Sequence, residues 1–297
     1  MTFEEKQYES QMNIELACEL NLHKNLFSPG QVLENSLGID AALFSCNRKF
    51  WKYFYRDWDY LFYHWREYWR HGVDISDLRE INKVFEEIYN HMPNIRYNLF
   101  IQYKRPKYIK KKTSAEYWKW GRPYFRYKVN ENQQKLLENL HSKVGDYGLV
   151  TYASPAFITQ YEFWQNVKNK TLIENSNFCK SIDLSGHHRY TYTSGGRFGF
   201  AFSEPEEIQN IDLKKEINSL KERSKKTEGN NIDYIVSLAN NLENIVEESN
   251  FYEFYKMRLN ILRESEVYSK LDSKLLVSSY KIKSFEEVTG IEILNGF

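Results

Sequence analysis

The chain has 297 residues, 41% of them hydrophobic and 27% charged, with a formal net charge of +1. These are ordinary globular values at a length beyond the usual single core, so one main α/β domain with a helical appendage is expected. No stretch approaches 18 uncharged apolar residues, and the opening Met-Thr-Phe-Glu-Glu-Lys has neither a basic nor an apolar leader region. A membrane span and secretion are therefore not expected, and a cytoplasmic location is.

Cys18, Cys46 and Cys179 are widely spaced with no C-x-x-C, which argues against a disulfide framework and a Cys-rich zinc site. Charge is unevenly placed. Between Arg96 and Lys128 there are eleven Lys/Arg against one acid, Glu116, while Glu204 to Phe297 holds thirteen Lys/Arg against eighteen Asp/Glu. A basic band rich in aromatic residues is the footprint of a polyanion groove, and its bland alternative is a solvated face.

In chain order, residues 3–23 read as a helix from Phe3, Tyr8, Met12, Leu16 and Leu20. Ser28-Pro29 opens a short helix that Gly38 ends, leading into a strand candidate, Ile39-Asp40-Ala41-Ala42-Leu43-Phe44. Trp51, Phe54, Trp58, Leu61, Trp65 and Tyr68 form one helical seam, better explained by core packing than by base stacking. A second helix is expected over 76–90, and Pro93 closes this helical insertion.

Tyr97 to Lys104 reads as a strand, and the basic segment Lys107 to Lys128 follows. Asn130 with Gln133 resembles a capping box for a helix ended by Gly145, and Tyr147 to Phe157 is a buried strand. Gly195-Gly196 between Arg189–Ser194 and Arg197–Ser203 signals a hairpin. Ser203 with Glu206 marks another helix start, and everything beyond is expected to be helical apart from a polar break near 227–231. G-x-x-x-x-G-K-[ST] is absent, which disfavours an intrinsic NTPase.

The informative constellation is Asp40 on one strand with Gln102 and Lys104 on another. Residues two apart on a strand share a face, so Gln102 and Lys104 project together while Tyr103 points away. With the Asp40 strand beside them, a carboxylate, an amide oxygen and an ammonium converge; hard divalent cations take oxygen ligands of this kind. An ammonium after the apolar Leu99-Phe100-Ile101 costs several kcal/mol (about that order) unless paired or functional. His187-His188 could touch phosphate or a site rim, but adjacent residues on an extended segment point apart, and a hydrogen-bonded structural role is the simpler reading.

Gly38-Ile39-Asp40 followed by Ile101-Gln102-Tyr103-Lys104 resembles the (G)hD…(E/Q)xK signature of the PD-(D/E)XK, or restriction-endonuclease-like, nuclease superfamily. The resemblance covers roughly residues 1–157 in element order, with four specific positions. It implies a mixed-sheet α/β core over 1–205 with a helical insertion about 47–93, then a helical C-terminal region over 206–297. It further implies Mg²⁺ (or Mn²⁺) held by Asp40, Gln102 and the Tyr103 carbonyl, with Lys104 as the catalytic lysine. The upstream acid carries over to Glu34, with Glu15 and Glu9 as weaker candidates. Gln102 departs from the commoner Glu, and about sixty residues replace the usual short hairpin between Asp40 and Gln102.

The expected function is hydrolysis of phosphodiester bonds, by an endonuclease acting on DNA in preference to RNA. Lys107, Lys110, Lys111, Lys112, Lys119, Arg122 and Arg126 are the expected nucleic-acid contacts. By resemblance alone the setting is bacterial defence or restriction, and a homodimer or larger assembly would supply the two sites that double-strand cleavage needs. The alternative is a non-catalytic nucleic-acid-binding or scaffold protein on the same fold.

Overall fold

The computed structural model describes residues 2–24, 86, 89–196, 198–224, 230–264 and 273–296. The expected Asp40 strand, the helix leading to it with Glu34, and the Trp51–Tyr68 seam lie outside the described residues. Two compact units are interleaved along the chain. Met1–Leu22, Arg96–Thr227 and Thr289–Phe297 make up the first, and His23–Ile95 with Glu228–Val288 the second.

In the first unit, helix α1 (Glu5–Leu20) opens on a capping box in which Gln7 Oε1 accepts from the Glu4 amide, and it ends at Asn21 in a left-handed conformation. Two five-stranded sheets follow. The first is mixed, in the order β1 (Leu22–Lys24), β10 (Ile291–Gly296), β2 (Tyr97–Tyr103), β5 (Gly148–Pro155) and β6 (Ser176–Lys180). The second is antiparallel, in the order β3 (Lys107–Ile109), β4 (Tyr124–Lys128), β7 (Arg189–Tyr192), β8 (Phe198–Phe202) and β9 (Glu206–Gln209). The chain is therefore a mixed α/β protein.

β2 is the pivot of the first sheet and is buried along its whole length. It pairs parallel with β5 and antiparallel with β10. A parallel neighbour needs a crossover, and helix α3 (Glu131–Val144), after the short α2 (Tyr117–Trp120), supplies it. Asn130 caps α3 by accepting from the Gln133 amide, and Gly145, at φ 57°, ends it. Helix α4 (Gln160–Asn169) connects β5 to β6 and is capped reciprocally by Thr159 and Glu162.

One face of the first sheet carries Tyr97, Leu99, Ile101 and Tyr103 against Phe3, Tyr8, Met12 and Leu16 of the N-terminal segment and α1, with Ile217 and Leu220 of α5 (Leu213–Ser224) in the same core. The second sheet packs its own inner face on β5: Tyr127 lies 5.7 Å, centroid to centroid, from Tyr152, and the Tyr192 hydroxyl donates to Ser154 Oγ and the Pro155 carbonyl. Gly199 is required there, since a Cβ would run into the Tyr190 ring.

The expected hairpin about Gly195-Gly196 is the β7–β8 pair. Two expectations for the C-terminal part are corrected. Ser203 to Glu206 starts no helix, because Glu206–Gln209 pairs with β8 as an edge strand. The chain also does not stay helical after 205. Gly290, at φ 71°, turns it into Ile291-Glu292-Ile293-Leu294, whose β-branched alternation suits a strand buried in the sheet. The compact units consequently cross the expected boundary at 205/206, with α5 and β10 belonging to the sheet unit.

In the second unit the described helices are α6 (Asn231–Glu247), α7 (Tyr252–Glu264) and α8 (Lys274–Thr289). Asn231 ties this unit's segments together, accepting from the Ile95 amide and donating to the Tyr89 carbonyl. Lys281 pairs with Glu243 at 2.6 Å, and Arg258 with Glu287.

Candidate active site and basic face

Gln102 is the last interior residue of β2, and Lys104 lies just beyond the strand, its amide still donating to the Ala153 carbonyl of β5. The expected shared face is present. Both side chains reach Gln133 of α3: Lys104 Nζ donates to Gln133 Oε1 at 2.6 Å, and Gln133 Nε2 donates to Gln102 Oε1 and, at 3.0 Å, to the Thr289 carbonyl. Gln102 Nε2 donates to the Tyr103 carbonyl at 3.1 Å.

Burial lowers the proton affinity of Lys104 below the ordinary lysine value, and the negative charge of Glu5 partly offsets this. Its ammonium also lies 5.7 Å from the Tyr152 ring centroid. The next residue on α3, Gln134, accepts from the Tyr152 hydroxyl and donates to the Ser181 carbonyl. Two consecutive glutamines thus lock α3 onto β2 and β5. Sequence reading treated Gln133 as a capping partner only and missed its role. The spacing Asn130-x-x-Gln133 was the available signal, but it could not say that the side chain turns toward the sheet.

Tyr103 points away, as expected. Its hydroxyl donates to Asn13 Oδ1 at 2.6 Å, and its ring meets Tyr8 edge-on. On that opposite face Glu9 of α1 and Glu292 of β10 are neighbouring buried carboxyls, and burial, then Glu292, push the Glu9 carboxyl up to about 7. Glu15, another candidate for the upstream acid, accepts from the Leu172 and Ile173 amides and so caps a turn.

Both edges of β2 are paired, with β10 in the antiparallel place where the Asp40 strand was expected. Glu292 stands opposite Ile101 in that ladder, so it shares the α1 face and not the face of Gln102. The two described oxygens of the expected metal set, Gln102 Oε1 and the Tyr103 carbonyl, are neutral and already accept hydrogen bonds. They do not by themselves make a site for a hard dication, and Asp40 and Glu34, the other expected ligands, lie outside the described residues. Among the described residues no group of three or more His, Cys, Asp or Glu could hold a metal ion.

The basic band is spread over the outer face of the second sheet. Lys107, Lys110, Lys111, Lys112 and Arg122 are exposed, and Lys119 and Arg126 half-buried. Ladder register places Lys107 opposite Arg126 and Lys128 opposite Arg189. Glu116, only 1% exposed, accepts from Tyr124, Arg126 and Arg189. Burial works against its charge, but the Tyr124 hydrogen bond and the two arginines hold its carboxyl below the usual range. Arg126 is therefore anchored as much as it is available.

Aromatic residues of β8 that sequence reading did not single out join this face. Phe198 stacks on Trp120 at 5.7 Å, and Phe200 meets the same indole edge-on at 5.1 Å. The alternation Phe198-Gly-Phe200-Ala-Phe202 was the legible sign, since it puts three rings on one side of a strand. His187 and His188 have structural partners, Glu206 and Ser203, across a surface loop.

No family model, curated protein or solved structure matches the chain. Among the described residues no helix is long and apolar enough to cross a membrane.

Proposed function

We propose that the protein is a divalent-metal-dependent nuclease with a restriction-endonuclease-like core, acting on DNA through Lys104, Gln102, Asp40 and Glu34. The observation that carries this reading is Lys104: an ammonium with lowered proton affinity, fixed through Gln133 to Gln102 at the end of a buried strand. As the free amine, which its lowered proton affinity favours, such a lysine can take a proton from a water molecule, and as the ammonium it can orient that water and offset phosphate charge. The helix α3 and the parallel strand β5 that follow Lys104 in the chain support this reading, since the resemblance implies a helix and a strand after the lysine. A bound Mg²⁺ or Mn²⁺ would supply Lewis acidity at the phosphoryl group.

The test is plasmid cleavage with Mg²⁺ by the full chain and by Asp40→Ala and Lys104→Ala variants. Each variant is expected to lose activity by at least about 100-fold while keeping its fold. Cleavage at the wild-type rate by either variant refutes the assignment.

A second reading, a nucleic-acid-binding protein without hydrolysis, is favoured by one observation. Both edges of β2 are filled, and no described carboxylate shares the face of Gln102 and Lys104 within the ladder. It predicts metal-independent binding and no cleavage by the wild type.

A further inference from the structure

The rings and cations of the second sheet's outer face form one continuous surface. The Trp118 side chain is 67% exposed and Phe198 36%. Between the rings stands Lys119, its Nζ 4.6 Å from the Trp118 centroid and 5.2 Å from that of Phe200. Trp120 is held beneath Phe198 by its stacking and by an indole hydrogen bond to Thr191 Oγ1 at 3.0 Å. Arg122 is held alongside by Thr193 at 2.8 Å. Exposed rings that lie together rather than singly mark an interaction surface, and a cation set among them favours a negatively charged partner.

We propose that this face binds single-stranded nucleic acid, with unpaired bases stacking on Trp118 and Phe198 and phosphates meeting Lys119 and Arg122. A duplex hides its base faces within its own stack, so it offers phosphates and groove edges but no free ring to stack on. Unpaired bases offer both chemistries that this face displays. Glu116 strengthens the assignment, because it is buried beneath two arginines and leaves the surface above it cationic. The inference deepens the nucleic-acid reading above and takes its ligand class from it, but it does not depend on hydrolysis at Lys104.

The experiment uses the full chain in EDTA, so that no cleavage occurs, with a fluorescein-labelled 15-mer of thymidine and a labelled duplex of equal length read by anisotropy. The wild type should bind the single strand more tightly than the duplex, with quenching of tryptophan fluorescence. Trp118→Ala should weaken single-strand binding about 5- to 100-fold, leave duplex binding within about two-fold, and abolish much of the quenching. Trp118→Phe should restore most of the affinity, which separates stacking from a folding defect. Lys119→Gln should lower the log–log salt slope on the single strand by about 0.7. If the wild type cleaves nothing but these binding results hold, the nuclease reading fails and this inference stands. Equal affinity for duplex and single strand, wild-type binding by Trp118→Ala, or no binding to either probe overturns it.

Discussion

The carboxyl pair Glu9–Glu292 makes the stability of the sheet unit depend on pH in a calculable way. Both residues are under 10% exposed, and two neighbouring buried carboxyls disfavour both being ionised at once. Burial and the neighbouring Glu292 raise Glu9 from an ordinary value near 4.5 to about 7, against the pull of Lys6, whose Nζ lies 2.8 Å from Glu9 Oε1. A group raised on folding binds protons more tightly in the native state. Its stabilising contribution is full below about pH 4.5 and is lost as pH rises through about 7. The whole span is worth up to about 3 kcal/mol, and sharing of the proton within the pair reduces it to roughly 1–3. Glu9→Gln places a neutral amide beside Glu292 and keeps an acceptor for Lys6. The variant should unfold in urea at a midpoint close to the wild type's at pH 5 and become the more stable protein by roughly 1–3 kcal/mol at pH 8. A stability difference that is the same at both pH values, or a wild type that gains on the variant as pH rises, refutes the reasoning.

Gln133→Ala removes the hydrogen bonds to Gln102, Lys104 and Thr289 together, and should cost about 1–3 kcal/mol in urea unfolding and at least about ten-fold in cleavage. Gln102→Glu adds a carboxylate beside the Tyr103 carbonyl and should tighten Mg²⁺ binding, measured by calorimetric titration, with activity retained; weaker binding places residue 102 outside the metal's ligands. Replacing Lys110, Lys111 and Lys112 together by Ala should lower the salt slope for duplex binding by up to about 0.9 for each lysine that touches phosphate, while an unchanged slope assigns the run to ordinary surface. Glu116→Gln should destabilise by about 1–3 kcal/mol at pH 7, with the difference shrinking as acid protonates the wild-type carboxyl through its depressed value.

What the sequence disclosed, and what it withheld, follows from the range over which each interaction acts. β2, α3, β5 and the β7–β8 hairpin are specified locally, by β-branched and aromatic runs, by Asn130 and Gly145 as caps, and by the Gly195-Gly196 turn. The same-side placement of Gln102 and Lys104 is a property of the strand period alone, so it too was legible. The partners of β2 were not. Ile291–Gly296 is six residues whose pairing with a strand nearly two hundred positions earlier leaves no local mark. Glu206–Gln209 carries a helix-start pattern, Ser203 with Glu206, that an edge pairing with β8 overrides. Gln133 illustrates the same limit within one residue: its backbone obeys the capping pattern, while its side chain answers to the sheet.

The two faces of β2 also bear on how the candidate site could work. Tyr103 and the Glu9–Glu292 pair fill the α1 side with groups that burial keeps protonated, so negative charge is suppressed there. Gln102 and Lys104 fill the α3 side with a neutral amide and a weakened ammonium, so positive charge is reduced there. A strand buried on both faces tolerates these polar groups because each is hydrogen-bonded within reach of the backbone ends of β2 and α8. A lysine in such surroundings regains ordinary proton affinity when an anion such as a substrate phosphate approaches, since negative charge stabilises its charged form. Occupancy of the site and protonation of Lys104 are therefore linked: whatever brings negative charge to Gln102 should also recharge the lysine, and Gln133, bonded to both, is the residue through which the two positions are held in register.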